Sequence, residues 1–188
     1  MTQDVIDHLA GLAPDSPLAQ IRDRKPITRQ HAQASYAALF EAQDTSQMPA
    51  EERFAVAAFV AGLHGQPKIA QFYAAKLPDA LNIAIAHAAG EARATGPYGT
   101  YPKGPLSAED TPGPAWQASG LTPRLNAALT HVHMLVFHPR DANPDHLQRL
   151  LDAGWSTTGI VTLSQLVAFL AFQIRTIAGL RTLAETAP

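Results

Sequence analysis

Apolar residues recur along this chain at three- and four-residue spacing and almost never alternate strictly with polar ones, which is the period of helices burying one face. Proline, glycine and capping residues cut the pattern into segments. Val5–Leu12 predicts a short first helix, after which Pro14 and Pro17 open an irregular stretch to Pro26. Thr28 is expected to cap a helix reaching about Gln43, with Ala32, Tyr36, Leu39 and Phe40 on its apolar face. Pro49-Ala50-Glu51-Glu52 is a strong helix start, because proline fits the first turn and two carboxylates oppose the positive end of the helix dipole. That helix is expected to run to Gly65, followed by helices from Pro67 to about Lys76 and over Pro78–Gly90.

Between Gly96 and Gly120 lie five prolines and five glycines, too many for regular structure. Tyr98, Tyr101 and Trp116 decorate this stretch, which reads as an ordered surface loop or, alternatively, a substrate lid. Thr122-Pro123 then opens a helix to Phe137, and Asn143-Pro144 opens another to Ala153. The turn Gly154-Trp155-Ser156 leads into a last helix, about Thr158 to Ala184, apolar nearly all round from Ile160 to Ile174 and expected at the centre of the core.

Alanine supplies about one residue in five and β-branched runs are scarce, so propensity agrees with the periodicity and the fold class is all-α. At 188 residues the chain is expected to form one domain over 1–188. A formal net charge of −2, with only 16% charged residues, gives no basic face for a phosphate backbone, so no nucleic-acid partner is expected. The start of the chain carries Asp4 and Asp7 and lacks the basic and apolar runs of a secretory signal. The one membrane suspect, Ala153 to Ile174, has Leu166–Phe172 as its longest purely apolar run, far short of the ~20 residues that span a bilayer. A cytoplasmic protein without a membrane partner is expected.

Candidate chemistry is constrained most by the absence of cysteine, which removes disulfides, thiolate metal sites and any cysteine nucleophile or redox pair. Eight histidines are present, but His131 and His133 lie two apart on a predicted helix and point roughly 200° apart. Neither the His-Glu-x-x-His nor the Glu-x-x-His spacing occurs, so no metal, haem or other cofactor is expected, unless a site assembles across helices. Phosphate-binding glycine patterns and the Gly-x-Ser-x-Gly elbow are likewise missing, although Ser35 and Ser164 remain individual candidates. Arg175 interrupts an apolar helix and, if buried, needs acceptors: a salt bridge to Glu51, Glu52 or Asp152, or an anionic ligand.

Two stretches together resemble the AhpD-like alkylhydroperoxidase and carboxymuconolactone decarboxylase superfamily, in its peroxidase-related branch. The first runs from Glu52-Arg53-Phe54 through an apolar face into His64-Gly65-Gln66-Pro67-Lys68-Ile69 and on to Tyr73. The second comprises Val136-Phe137-His138-Pro139, Asn143-Pro144, Ala153-Gly154-Trp155-Ser156, Leu166 to Arg175, and Gly179-Leu180. The resemblance covers residues 49–183 and implies a helical fold of two similar halves. It also implies an antioxidant, peroxidase-related role and assembly into a homodimer or a trimer of dimers. The branch carries Glu-Arg-Glu followed by Cys-x-x-Cys-x-x-x-His. Matched to this chain, its glutamate falls at Phe54, its cysteines at Gln66 and Ile69, and its histidine at Tyr73.

Glutamine and isoleucine supply neither a low-pKa thiolate nor a resolving thiol, so thiol peroxidase chemistry is excluded for this chain by itself. Two function classes remain. One is a non-catalytic binding or accessory scaffold for a small organic ligand. The other is a cysteine-independent enzyme, since relatives on the decarboxylase side work without the pair. In that enzyme His64 or Tyr73 would serve as acid or base on an organic acid, lactone or hydroperoxide, with Gln66 and Arg175 as binding groups. The enzyme reading requires these side chains to converge on one cavity, whereas packing of the region by Phe54, Ile69 and Phe72 would favour the scaffold.

Overall fold

The structure, a computed structural model, describes residues 4–186; the two ends of the 1–188 domain reading lie outside the described residues. Among the described residues nine α-helices form: α1 (Val5–Ala10), α2 (Pro17–Asp23), α3 (Pro26–Phe40), α4 (Ala50–Leu63), α5 (Pro67–Ala74), α6 (Asp79–Glu91), α7 (Pro123–Phe137), α8 (Pro144–Asp152) and α9 (Thr157–Thr186). No strand occurs among the described residues, only an isolated bridge between Gly99 and Thr111. The all-α class is therefore correct.

Caps explain most boundaries. The Asp4 carboxylate accepts from the N–H groups of Ile6 and Asp7, Thr122 accepts from Leu125, and Asn143 accepts from Asp145 and His146, each satisfying donors that the helix leaves unpaired. Two boundaries differ from the sequence expectation. The stretch from Pro14 to Pro26 is not irregular, because Ser16 caps α2 by accepting from the Ala19 N–H. Thr28 is not a cap, because α3 already starts at Pro26 and ends at Phe40. In both cases proline sits in the first helical turn, where its missing N–H costs nothing.

Helix α4 is the hub, packing on α5, α6, α7 and α9, while α9 also meets α1, α3 and α8. Seven of its residues, from Ala55 to Ala61, are buried without interruption, so α4 is enclosed on all sides rather than amphipathic. Small residues allow the approach of α6: a Cβ added at Gly62 would lie 2.7 Å from the Ala89 Cβ. At 30 residues, α9 is long and apolar enough by length and composition to cross a membrane, but half of its most apolar window is buried against the other helices.

Charge ties the periphery together. Arg22 pairs with Asp4 at 2.6 Å and with Asp7, and Arg29 pairs with Asp7 and Asp23, which clamps α1, α2 and α3. On the other side, Arg124 of α7 donates to Glu52 (2.7 Å), Gly154 O (2.7 Å) and Gln47 O (2.9 Å) while its guanidinium lies 4.0 Å from the Trp155 ring centre. The buried arginine is Arg53, 5% exposed, and it donates only to backbone carbonyls, those of Met48 (2.8 Å), Leu39 (2.7 Å) and Asp44 (3.5 Å). It closes the chain segment between α3 and α4.

Candidate functional site

The four residues at the motif positions fall into the packed region between α4, α5 and α9. Helix α4 ends at Leu63, and Gly65 turns the chain with φ +65°, a conformation in which a Cβ is strained. Gln66 precedes Pro67 but makes no side-chain cap. Its Oε1 accepts from Arg181 Nη1 at 3.2 Å, and Arg181 also donates to Leu9 O at 2.6 Å, so Gln66 fastens the turn to α9 and α1. Ile69 is fully buried. Tyr73 is fully buried too, stacked on Phe40 at 4.9 Å and edge-on to Phe72 at 5.1 Å, and Phe54 packs on Phe40 at 5.3 Å.

The Tyr73 hydroxyl donates to Gln173 Oε1 at 2.5 Å, while Gln173 Nε2 is buried without a partner. Burial drives the phenol far above its ordinary pKa, and the bond to Gln173 offsets this only in part. Neither Gln66 nor Tyr73 lines any of the principal clefts. Tyr73 therefore does not share a cavity with His64: its ring sits in an aromatic layer, while His64, at the end of α4, lines a cleft that Tyr73 does not reach.

His64 and Arg175 do converge. Both line a cleft of about 430 Å³ between the end of α7, α9 and residues 96–97, with Ser164, Val167, Ala168 and Phe137 among its walls. The loop closes on this cleft tightly, since Tyr98 N–H donates to Phe137 O at 2.6 Å and a Cβ at Gly96 would lie 2.9 Å from the same oxygen. His64 Nε2 is buried and unpartnered, and the ring's pKa is lowered, first by burial and then by the Arg175 charge. Ser164 Oγ donates to Ile160 O at 2.9 Å and so is occupied by its own helix.

Arg175 is exposed rather than buried, and the expected salt bridge is not made. Glu52 is taken by Arg124, Asp152 accepts from Gln148 at 2.8 Å, and Arg175 donates only to Ala171 O of its own helix at 3.1 Å. A guanidinium without a carboxylate, beside an apolar wall and a neutral imidazole, is chemically suited to hold a carboxylate whose remainder is apolar.

The histidines of α7 and its surroundings carry geometry that sequence spacing does not reveal. As expected, His131 and His133 face different ways. His133 Nε2–H donates to Ala92 O at 3.1 Å, and its ring lies among Trp116, Phe137 and His138. His138 bridges the Asp141 carboxylate and the Pro114 carbonyl, each at 3.0 Å, which pins the loop onto α7. His131 instead meets His146 of α8 in a cleft of about 360 Å³. Burial, together with the neighbouring His146, lowers the His131 pKa to about 4. The only sequence signal for this pairing is that both are histidines on helices joined by a short connection. Among the described residues no three His, Asp or Glu side chains gather as a metal site. Compared with known protein families, curated proteins and solved structures, the chain matches none of them.

Proposed function

We propose that this chain is a non-catalytic ligand-binding protein on an AhpD-like scaffold of two similar helical halves, and that the cleft between α7 and α9 holds a small carboxylate with an apolar body. The observation that carries this reading is the convergence of His64 and the unpaired Arg175 on one otherwise apolar cleft. Full burial of Ile69 and Tyr73 and packing of the half-buried Phe54 on Phe40, in a chain without cysteine, support the non-catalytic part.

The test is a titration with benzoate followed by calorimetry. Saturable binding that Arg175→Gln weakens roughly tenfold or more is expected, the scale of one charge-assisted hydrogen bond. Binding that is absent, or indifferent to Arg175→Gln, overturns the proposal.

A second reading, a cysteine-independent enzyme, is favoured by one observation, the lowered pKa of His64, which keeps a lone pair available near neutral pH. Turnover of a lactone or hydroperoxide that disappears in His64→Gln would replace the first reading by this one. We further propose self-association as a homodimer or trimer of dimers, supported by Val161 and Phe172 exposed on α9 and Ile83, 69% exposed, on α6. Light scattering that finds only the 20.1 kDa monomer at micromolar concentration would refute it.

A further inference from the structure

A second cleft lies between α7, α8 and the segment 117–118, next to the one that His133 lines and sharing Thr130, His146 and Arg149 with it. Its construction starts with that segment. Trp116 stacks on Phe59 at 5.4 Å, and the Ala118 N–H donates to Thr130 Oγ1 at 3.0 Å, so the segment is held across α7 rather than left loose. Asn126 is also committed, exchanging both side-chain bonds with the Leu121 backbone.

Of the polar side chains that α7 and α8 bring to the cleft, three are not committed. His131 is 5% exposed, and its Nδ1 has no hydrogen-bond partner. His146 Nδ1 is likewise buried and unpartnered. Arg149, one turn further along α8, makes neither an ion pair nor a side-chain hydrogen bond among the described residues. Unpaired buried nitrogens cost about 1–3 kcal/mol each unless they find a partner, and in the Nδ1–H tautomer that partner is an acceptor. Two such nitrogens beside an unneutralised guanidinium call for a ligand rich in acceptors and negative in charge.

A cation is the wrong occupant, because Arg149 shares the wall and no third ligand of metal-binding type joins the two imidazoles. The carboxylate that lines the adjoining cleft, Asp141, is already engaged by His138. We propose that this cleft is a binding site for a small oxyanion, with Arg149 as its counter-charge and the His131 and His146 imidazoles as hydrogen-bond donors. Phosphate and carboxylate groups share that chemistry, and the volume of about 360 Å³ admits either on a small organic body.

The experiment records the histidine side-chain ¹⁵N signals of the full chain while inorganic phosphate, succinate or sodium chloride is added at matched ionic strength. The His131 and His146 signals are expected to move saturably with phosphate, succinate or both, which identifies the group recognised, and not with chloride. Arg149→Gln, a change at an exposed and unpaired position that leaves the helical circular dichroism intact, is expected to weaken the response roughly tenfold or more. Arg175→Gln is expected to leave it unchanged, which separates this site from the cleft between α7 and α9. Signals that stay fixed with both anions, that follow chloride equally, or that respond undiminished in Arg149→Gln would overturn the proposal.

Discussion

At the residue scale, the most informative side chain is Tyr73, a phenol enclosed in the apolar core. Tyr73 and Gln173 form a buried polar pair inside an apolar layer, satisfied on the hydroxyl and not on Gln173 Nε2. Removing one member leaves the other wholly unpaired, whereas removing both leaves nothing to satisfy. Tyr73→Phe is therefore expected to lower stability by about 1–2 kcal/mol in urea denaturation. The double variant Tyr73→Phe with Gln173→Met is expected to recover most of that loss. A double variant no more stable than Tyr73→Phe would show that the pair contributes by packing instead. Arginines illustrate the same dependence on surroundings. Arg175 interrupts the apolar run of α9 yet is exposed, while Arg53 follows two glutamates and is buried among carbonyls.

At the scale of elements, contact between α4 and α6 depends on Gly62. Ala89 sits so close that a side chain at 62 must push the helices apart, and the neighbouring cleft lined by Ala58, Ala86 and Gly90 shows how small this interface is throughout. Gly62→Val is expected to cost about 1–3 kcal/mol by overpacking, beyond the β-branched penalty within a helix. Gly90→Ala serves as the control, since a Cβ there meets nothing within 4 Å and alanine improves helix propensity. Thermal denaturation checks both, with Gly62→Val lower and Gly90→Ala equal to or above the parent.

For the whole molecule, the buried histidines set a pH dependence. The folded-state pKa of His131 is about 4, below its ordinary value of 6.5, so between these values the unfolded chain binds a proton that the folded chain refuses. Stability is fully present above pH ~6.5 and is lost progressively as the pH falls towards 4. The loss from this group alone is roughly 3 kcal/mol at most. His64 and His133 are depressed in the same direction, chiefly by burial, and add to it. Urea midpoints should fall between pH 7 and pH 5, less steeply in His131→Gln. Equal slopes in the two proteins would mean that His131 does not carry the effect.

Helix positions were readable because their causes are local. Proline in a first turn, a side-chain cap at Asp4, Thr122 or Asn143 and an apolar period act within a few residues, so α4 to α9 follow the expected boundaries closely. Absence of cysteine excluded thiol redox chemistry before any fold was known. The clefts were decided elsewhere. His64 meets Arg175 only because α9 lies along the end of α4, and His131 meets His146 only because α8 folds back onto α7. Whether Arg175 or Arg53 became the buried cation depended on which carbonyls and helices surrounded each. Such contacts join residues far apart in the chain, and their energy depends on burial and orientation that no spacing rule contains.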